Sequence, residues 1–333
     1  MYKYLILFAV LCCISNNPVF ADNDYLERPE VNNFINDFSE KNNYPKDTLT
    51  RLIKNVTTQT SVLEAIARPA EKKKNWQEYR KIFITDKRIK EGLAFWSENA
   101  PILAAAEREY GVPPEIVVAI IGVETFYGRY KGKYPVLDSL VTLGFDYPPR
   151  QKFFRSELEH FLLLAQEENL DPLEIKGSYA GAMGKSQFIS SSYRHYAVDF
   201  DGNGTRDLWA SNEDAIGSVA NYFKTHGWKQ GGIITVPAKV KGERFKTLLE
   251  KGLKPVASVS ELSQYDVTAE HNADAKQAVA LLEFKKNNSD EYWLGFDNFY
   301  VITRYNHSHM YAMAVYQLSQ QIKKEIKDYV VQN

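Results

Sequence analysis

Apolar residues recur at three- and four-residue intervals through most of the chain, which predicts helices over most of its length. Val31, Phe34, Ile35 and Phe38 form one such stripe, and Leu49, Leu52, Ile53 and Val56 a second, within a helical region at 27–70. "ARPAEKKKN" (67–75) reads as a polar connector whose lysines are a solvated surface. From Trp76 to about Gly227 the helical pattern resumes. "KEGLAFWSENAPILAAAEREYG" keeps helical spacing up to Gly111, a good C-cap. "VPPEIVVAIIGVE" opens the next helix with Pro113 and Pro114 at its entrance, a further helix is predicted over 151–167, and another in "EDAIGSVANYFKTHGW".

After Trp228 the pattern changes. "GGIITVPAKV", "VASVSEL", "QAVALLEF" and "DEYWLGFDNFYVITRY" are rich in β-branched and aromatic residues between polar breaks, which predicts a small β-rich insertion over 230–303. The chain returns to the core at 304–333 with a closing helix, "HMYAMAVYQLSQQIKKEIKDYV", whose apolar stripe runs through Tyr311, Val315, Leu318, Ile322 and Ile326. The expected organisation is a helical domain at 22–75 joined by the C-terminal helix 309–333, a helical core at 76–229, and the β-rich domain at 230–303. The fold class is mainly α (α+β).

Residues 1–21 are set apart as a signal peptide. Lys3 precedes an apolar run from Leu5 to Ile14, shorter than the ~20 residues a membrane span needs, and Val19 and Ala21 place cleavage after Ala21. Both cysteines, Cys12 and Cys13, lie inside this segment, so cleavage leaves a chain without disulfides, thiolate chemistry or cysteine-held metals. Acylation at Cys12 or Cys13 ranks second, because "AVL" and "VLC" lack the small residue a lipidation site wants; a soluble periplasmic form is expected.

Composition narrows the class further. Of 333 residues 44% are hydrophobic and 25% charged, an ordinary globular balance, and the formal net charge of −1 offers no basic field for nucleic acid. The 21 Tyr and 18 Phe suit a polymer groove in which flat sugar faces stack, although many can equally be core.

Candidate chemistry starts at "AIIGVETFYG" (119–128), where Glu124 is the one carboxylate in an apolar run. Burial disfavours the charged form, so such a carboxyl can be protonated near neutral pH and act as a general acid. Taken alone, the motif is better explained by a marginal structural acid paired with Arg129 or Lys131. "KGSYAGAMGKSQF" (176–188) then brings Gly177, Gly181 and Gly184 together with Ser178 and Gln187, a segment built for close backbone approach without phosphate-loop spacing. "DFDGNGTRD" (199–207) matches an EF-hand loop: Asp199, Asp201, Asn203 and Thr205 fall at positions 1, 3, 5 and 7, with Gly204 at the sharp turn. Hard oxygen ligands favour calcium over zinc, and a metal-free Asx-turn loop is the plain alternative. Position 12 is Ala210 where an EF-hand has Glu. The six histidines, His160, His195, His226, His271, His307 and His309, form no zinc signature.

"WQEYRKIFIT" (76–85), "YGVPPEIVVAIIGVETFYG", "KGSYAGAMGKSQF", "SSYRHYAVDFDGNG", "DAIGSVANYFKTHGW" and "TRYNHSHMYAMAVYQL" occur in that order over most of the chain. Together they resemble the membrane-bound lytic murein transglycosylase B family, glycoside hydrolase family 103. The resemblance implies a lysozyme-like helical catalytic core at 76–229 with an EF-hand-like loop at 199–214. It implies that Glu124 is the sole acid/base in cleaving the β-1,4 bond between N-acetylmuramic acid and N-acetylglucosamine. Glu124 would protonate the glycosidic oxygen, then accept a proton from the muramoyl C6 hydroxyl as that oxygen attacks C1, giving a 1,6-anhydro sugar. Asp138, Asp146, Glu157 and Glu159 are read as surface or structural. Carried over residue by residue, the substrate groove is Tyr79, Ser178, Gln187, Tyr222, Tyr305, Asn306 and Tyr311. Tyr79 would stack on or hydrogen-bond sugar, and Ser178 and Gln187 would orient the acid and the acetamido group. A structural calcium would be held by Asp199, Asp201, Asn203, the Thr205 carbonyl and a later acid, Asp214, with Glu213 its competitor. The expected partners are peptidoglycan strands and cell-wall synthesis or remodelling proteins, for a monomer without organic cofactor. A lysozyme-like hydrolase and a non-catalytic glycan-binding scaffold are the competing functions.

Overall fold

The computed structural model describes residues 25–68, 74–270 and 274–332; the signal segment 1–21, part of the connector and His271 lie outside them. Two compact units meet in sequence at Thr57 and Thr58. In the first, a 3-10 turn (Tyr25–Glu27) precedes α1 (Pro29–Asn42) and α2 (Lys46–Lys54). The apolar stripe read from the sequence is buried here: Val31, Ile35 and Phe38 on α1, Leu49, Leu52 and Ile53 on α2. Asn43 takes a left-handed conformation that ends α1 and turns the chain.

The second unit contains α3 (Thr60–Ala67), α4 (Trp76–Phe83), α5 (Asp86–Glu98), α6 (Ala100–Tyr110) and α7 (Pro114–Thr125). It continues through β1 (Tyr134–Pro135), α8 (Val136–Asp146), α9 (Gln151–Glu167), β2 (Lys176–Gly177), α10 (Ser190–Tyr196) and α11 (Asn212–Thr225). A sequence boundary at 75 therefore falls later than the division seen. The reason is local: Gln59, just ahead of α3, bonds α8 through Thr142 (3.0 Å) and Asp138 (2.9 Å).

Helix α7 is apolar on every side, and a helix of that kind must be enclosed. Ile116 through Ile121 are all buried. Its packing partners include α5, α6, α11 and the last helix, α14 (His309–Gln332). Glu115 in its first turn is buried and meets Lys323 of α14 at 2.7 Å. The second acids are spent on structure where the geometry is described: Asp138 holds Gln59, and Glu157 accepts from the Ser191 N–H (2.9 Å) and hydroxyl (2.7 Å) at the start of α10.

The insertion holds β3 (Thr235–Val240), α12 (Phe245–Leu249), β4 (Ala257–Ser258), β5 (Val267–Ala269), β6 (Ala278–Phe284) and β7 (Glu291–Gly295). One antiparallel sheet runs β4-β6-β7-β3-β5, with Leu281 opposite Leu294 and Val236 opposite Leu294 on its other side. These residues, with Phe245, Leu248 and Leu262, form a core of their own. Helix α13 (Asp297–Tyr305) then leads to α14.

Two local expectations change. The apolar run 90–111 is two helices, because Pro101 lacks the N–H to continue the ladder and Asn99 folds its side chain back onto the Phe95 carbonyl (2.7 Å). The β-rich pattern expected to reach 303 stops at Gly295. The residues that follow bury Asn298, Phe299, Val301, Ile302 and Thr303 along a helix, although their composition is that of a strand.

Gly122 matters to the turn after α7. A Cβ there would lie 2.6 Å from the Tyr127 ring, which also crosses Gly92 and donates to the Arg88 carbonyl at 2.9 Å. This seat holds Phe126 and Tyr127 in consecutive left-handed conformations. Gly122→Ala is expected to lower stability by about 1–3 kcal/mol, read as a fall in Tm; an unchanged Tm would show that the ring has room to move.

Candidate active site

Glu124 occupies the last turn of α7, half-buried, with Ile120, Ile121 and Val123 buried beside it. The helix ends at once: the Phe126 N–H donates to the Gly122 carbonyl (3.1 Å), and Arg88 Nε donates to the same oxygen (3.1 Å). Thr125 donates through Oγ1 to the Lys185 carbonyl (2.9 Å) and accepts from the Gly128 N–H (2.9 Å). The residue following the acid is thereby tied to the Gly-rich segment.

That segment is pinned from its other side by Lys185. Its N–H donates to the Leu208 carbonyl (2.7 Å), and its buried ammonium donates to the Ala210 carbonyl (2.6 Å) and Asn212 Oδ1 (2.5 Å). Burial pulls the Lys185 pKa down, with Lys131 adding to the effect. The sequence pattern assigns Lys185 no role; a lysine between glycines and small residues, next to no acid, is its one signal. Arg88 and Tyr127 were also missed, and their roles depend on partners 34 and 39 residues away.

The tyrosines divide by function. Tyr311, in the first turn of α14, donates to Glu124 Oε1 at 2.5 Å. Tyr305, at the end of α13, donates to the Ser186 carbonyl (2.6 Å), and Tyr222 to the Arg304 carbonyl (2.6 Å). Burial raises the Tyr305 and Tyr311 pKa values well above the usual phenol, and the charge of Glu124 raises both further. Both stay protonated as donors at neutral pH. Tyr79 adds to the shift on Tyr311 and so lies near it. Its ring packs on Trp76 (6.4 Å) and Phe83 (5.1 Å) and is only 4% exposed, which leaves little face for a sugar. Tyr222 is likewise buried, stacked on His226 at 4.0 Å and edge-on to Tyr305 at 4.8 Å. Asn306 is exposed in the short link between α13 and α14.

Ser178 uses its oxygen to accept from the Ala182 (3.0 Å) and Ala180 (3.3 Å) N–H groups, which closes the Gly-rich turn and leaves its own proton to donate. Gln187 is left-handed at φ 50, and its Nε2 donates to the Gly184 (3.0 Å) and Lys131 (3.2 Å) carbonyls.

In the Asp-rich loop, carboxylate oxygens of Asp199, Asp201 and Asp214 lie within 4.8 Å of one another. Asp214 is fully buried and accepts from the Phe200 and Asp207 N–H groups, both at 2.7 Å. Asp199 accepts from Asn203 (3.0 Å) and Gly204 (2.7 Å), and those bonds hold its pKa below the usual range. Asn203 Oδ1 accepts from Thr205 twice, through N–H (2.9 Å) and hydroxyl (2.7 Å). Glu213 lies outside this cluster, where the Ser211 hydroxyl approaches it at 3.4 Å. Among the described residues no Lys or Arg forms an ion pair with the three aspartates.

The arrangement places one oriented carboxyl at a buried helix end beside Tyr311 and Tyr305, with three converging aspartates in the loop that Lys185 ties to the Gly-rich segment. Comparison with known proteins agrees with that chemistry. The Transglycosylase SLT domain family matches residues 27–320. The chain is 42% identical over 316 residues to membrane-bound lytic murein transglycosylase B of Escherichia coli (strain K12), covering 92% of this chain and 86% of that protein. The catenated lytic transglycosylase SltB1 of Pseudomonas aeruginosa superposes with a TM-score of 0.87 at 50% identity, covering 91% of this chain and 100% of that one. The Escherichia coli lytic transglycosylase Slt35 in complex with calcium gives 0.82 at 42% identity, over 92% and 96%.

The raised tyrosine pKa values carry a pH prediction. An unfolded tyrosine titrates near 10, so above that pH the unfolded chain has lost protons that native Tyr305 and Tyr311 retain. Their contribution to stability is whole below pH ~10 and falls as pH rises beyond it. Urea unfolding between pH 9 and 11 should show this decline, with a shallower slope in the Tyr305→Phe/Tyr311→Phe double variant. An identical slope would remove these two phenols as its source.

Proposed function

The chain belongs to the transglycosylase SLT domain family, and on that premise we propose that Glu124 alone carries the proton transfers of its reaction. It is a lytic transglycosylase that acts on peptidoglycan glycan strands. The observation that carries the proposal is the Tyr311 bond to Glu124 Oε1, which orients one carboxyl at the end of an apolar helix. Asp138 and Glu157 hold other parts of the fold, which favours a single acid over the paired carboxylates of most glycosidases.

In the first step Glu124 gives its proton to the oxygen leaving C1. Its apolar neighbours favour the neutral form that this step needs. In the second step the carboxylate takes the proton of the muramoyl C6 hydroxyl as that oxygen bonds C1 and closes the 1,6-anhydro ring. Tyr311 stabilises the anion between the two steps, since a hydrogen bond to the charged form favours it. Gln187 has its amide nitrogen spent on Lys131 and Gly184, so its oxygen suits the N–H of the 2-acetamido group. Ser178 has a proton to give to the acetamido carbonyl. Tyr79 acts through its hydroxyl edge rather than its face, and Asn306 offers an exposed amide at the rim.

The Asp loop fits a calcium ion. Three carboxylates converge with neutral N–H, amide and hydroxyl donors around them, and a bound dication would offset their repulsion. Asp199, Asp201, Asn203, the Thr205 carbonyl and Asp214 would hold it, Asp214 taking the closing position. Its work is structural, bracing the loop against α11.

The location is periplasmic, where the substrate is. Among the described residues no helix is long and apolar enough to cross a membrane.

Glu124→Gln is expected to lower turnover of purified sacculi by roughly 10²–10⁴-fold while leaving glycan binding in place. Mass spectrometry of the wild-type products should show anhydromuramoyl ends. Reducing ends would make the protein a hydrolase, and native-rate release by the variant would falsify the role of Glu124. Calcium is expected to raise Tm in the wild type by several degrees, and Asp214→Asn to remove most of that shift. A titration without any shift would overturn the calcium reading.

A further inference from the structure

A hollow of about 510 Å³ opens between α4, the turn joining β6 to β7, and α14. Its walls include Trp76 and Arg80 from α4, Lys286, Glu291 and Trp293 from the hairpin, and Gln317 from α14. We propose that this hollow binds the peptide stem of the muramic sugar while the glycan strand lies at Glu124. The proposal rests on the transglycosylase reading and adds to it a specificity site.

Position is the first argument. Trp76 and Arg80 bracket Tyr79 on α4, and Tyr79 neighbours Tyr311, which holds the acid. Gln317 follows Tyr311 by six residues on the same helix, roughly 9 Å along its axis at 1.5 Å per residue. An extended peptide advances about 3.3 Å per residue, so a stem of three or four residues spans that distance from a sugar at the cleavage point.

The walls are also joined to one another. Arg80 Nε donates to Gln317 Oε1 at 2.5 Å, linking α4 to α14. The Trp76 N–H donates to the Lys285 carbonyl (2.8 Å) and Asn75 Nδ2 to Asn287 Oδ1 (2.6 Å), linking α4 to the hairpin. Lys286 meets Glu291 at 2.6 Å across the turn. The hollow is therefore preorganised and not a gap between independent parts.

Chemistry separates a peptide from a sugar. The unmodified glycan hydroxyls and acetamido groups are neutral, and they call for aromatic faces and neutral donors. This hollow sets two cations and one carboxylate among side-chain amides. Among the described residues Arg80 pairs with no carboxylate. A muropeptide stem carries free carboxylates and, with a diamino acid, an ammonium. Arg80 and Lys286 suit the carboxylates, Glu291 the ammonium, and the half-buried Trp293 the alanine methyl groups.

The test compares glycan strands bearing stems with the same strands stripped by an amidase. Arg80→Ala/Lys286→Ala changes exposed and half-buried side chains, and Tm checks that it folds. The double variant is expected to lose roughly tenfold in kcat/KM on stem-bearing strands, mostly through KM, as loss of charge-assisted contacts implies. On stripped strands it should match the wild type. Equal losses on both substrates, or no loss on either, overturns the stem site. Wild-type turnover of stripped strands establishes the transglycosylase reading separately; a wild type inert on both would overturn that reading and this one with it.

Discussion

The site depends on the enclosure of α7. A helix with no polar face has to be covered along its whole length, and that cover is what brings distant parts of the chain to Glu124. Helix α14 provides much of it and is fastened at both ends. Lys323 meets Glu115 at the start of α7, and Tyr311 meets Glu124 at its end. One bond is an ion pair at a buried carboxylate, the other a phenol on the Glu124 carboxyl. Between them lie Val315, Leu318 and Ile322, all buried. Hydrophobic burial supplies the energy, and the two polar contacts set the register that puts Tyr311 on the acid and nowhere else.

A second constraint arrives from the Asp loop through Lys185. The loop's exit is held by the Lys185 ammonium and N–H, while the carbonyl of the same residue receives Thr125, the neighbour of Glu124. Order in the loop thus bears on the acid through Lys185, beside the bond from the Lys131 ammonium to the Trp209 carbonyl (2.9 Å). A buried lysine satisfied by a carbonyl and an amide oxygen needs both in place, because an unmet ammonium in that setting is costly.

Much of this was legible in the sequence. The helix over 151–167 appears with the limits its apolar spacing implies, the closing helix starts at His309, and Glu124 stands where a single acid in an apolar run draws notice. Asp214 is named by the family resemblance alone, since the loop's own twelfth position is Ala210. What was hidden is tertiary. Tyr79 and Tyr222 look like sugar platforms by residue type, and only packing shows their faces covered. The strand-like composition of 297–305 gave no warning of α13, since β-branched and aromatic residues also serve a buried helix. Arg88, Tyr127 and Lys185 work through backbone carbonyls far off in the chain, and a carbonyl leaves no mark in a sequence.

The bond from Tyr311 to Glu124 spans 187 residues of sequence. Closing so long a loop comes late, because its entropy is met before the contact rewards it. On a ribosome the acid is made early and its phenol almost last. A chain interrupted anywhere before α14 carries the carboxyl without the group that orients it.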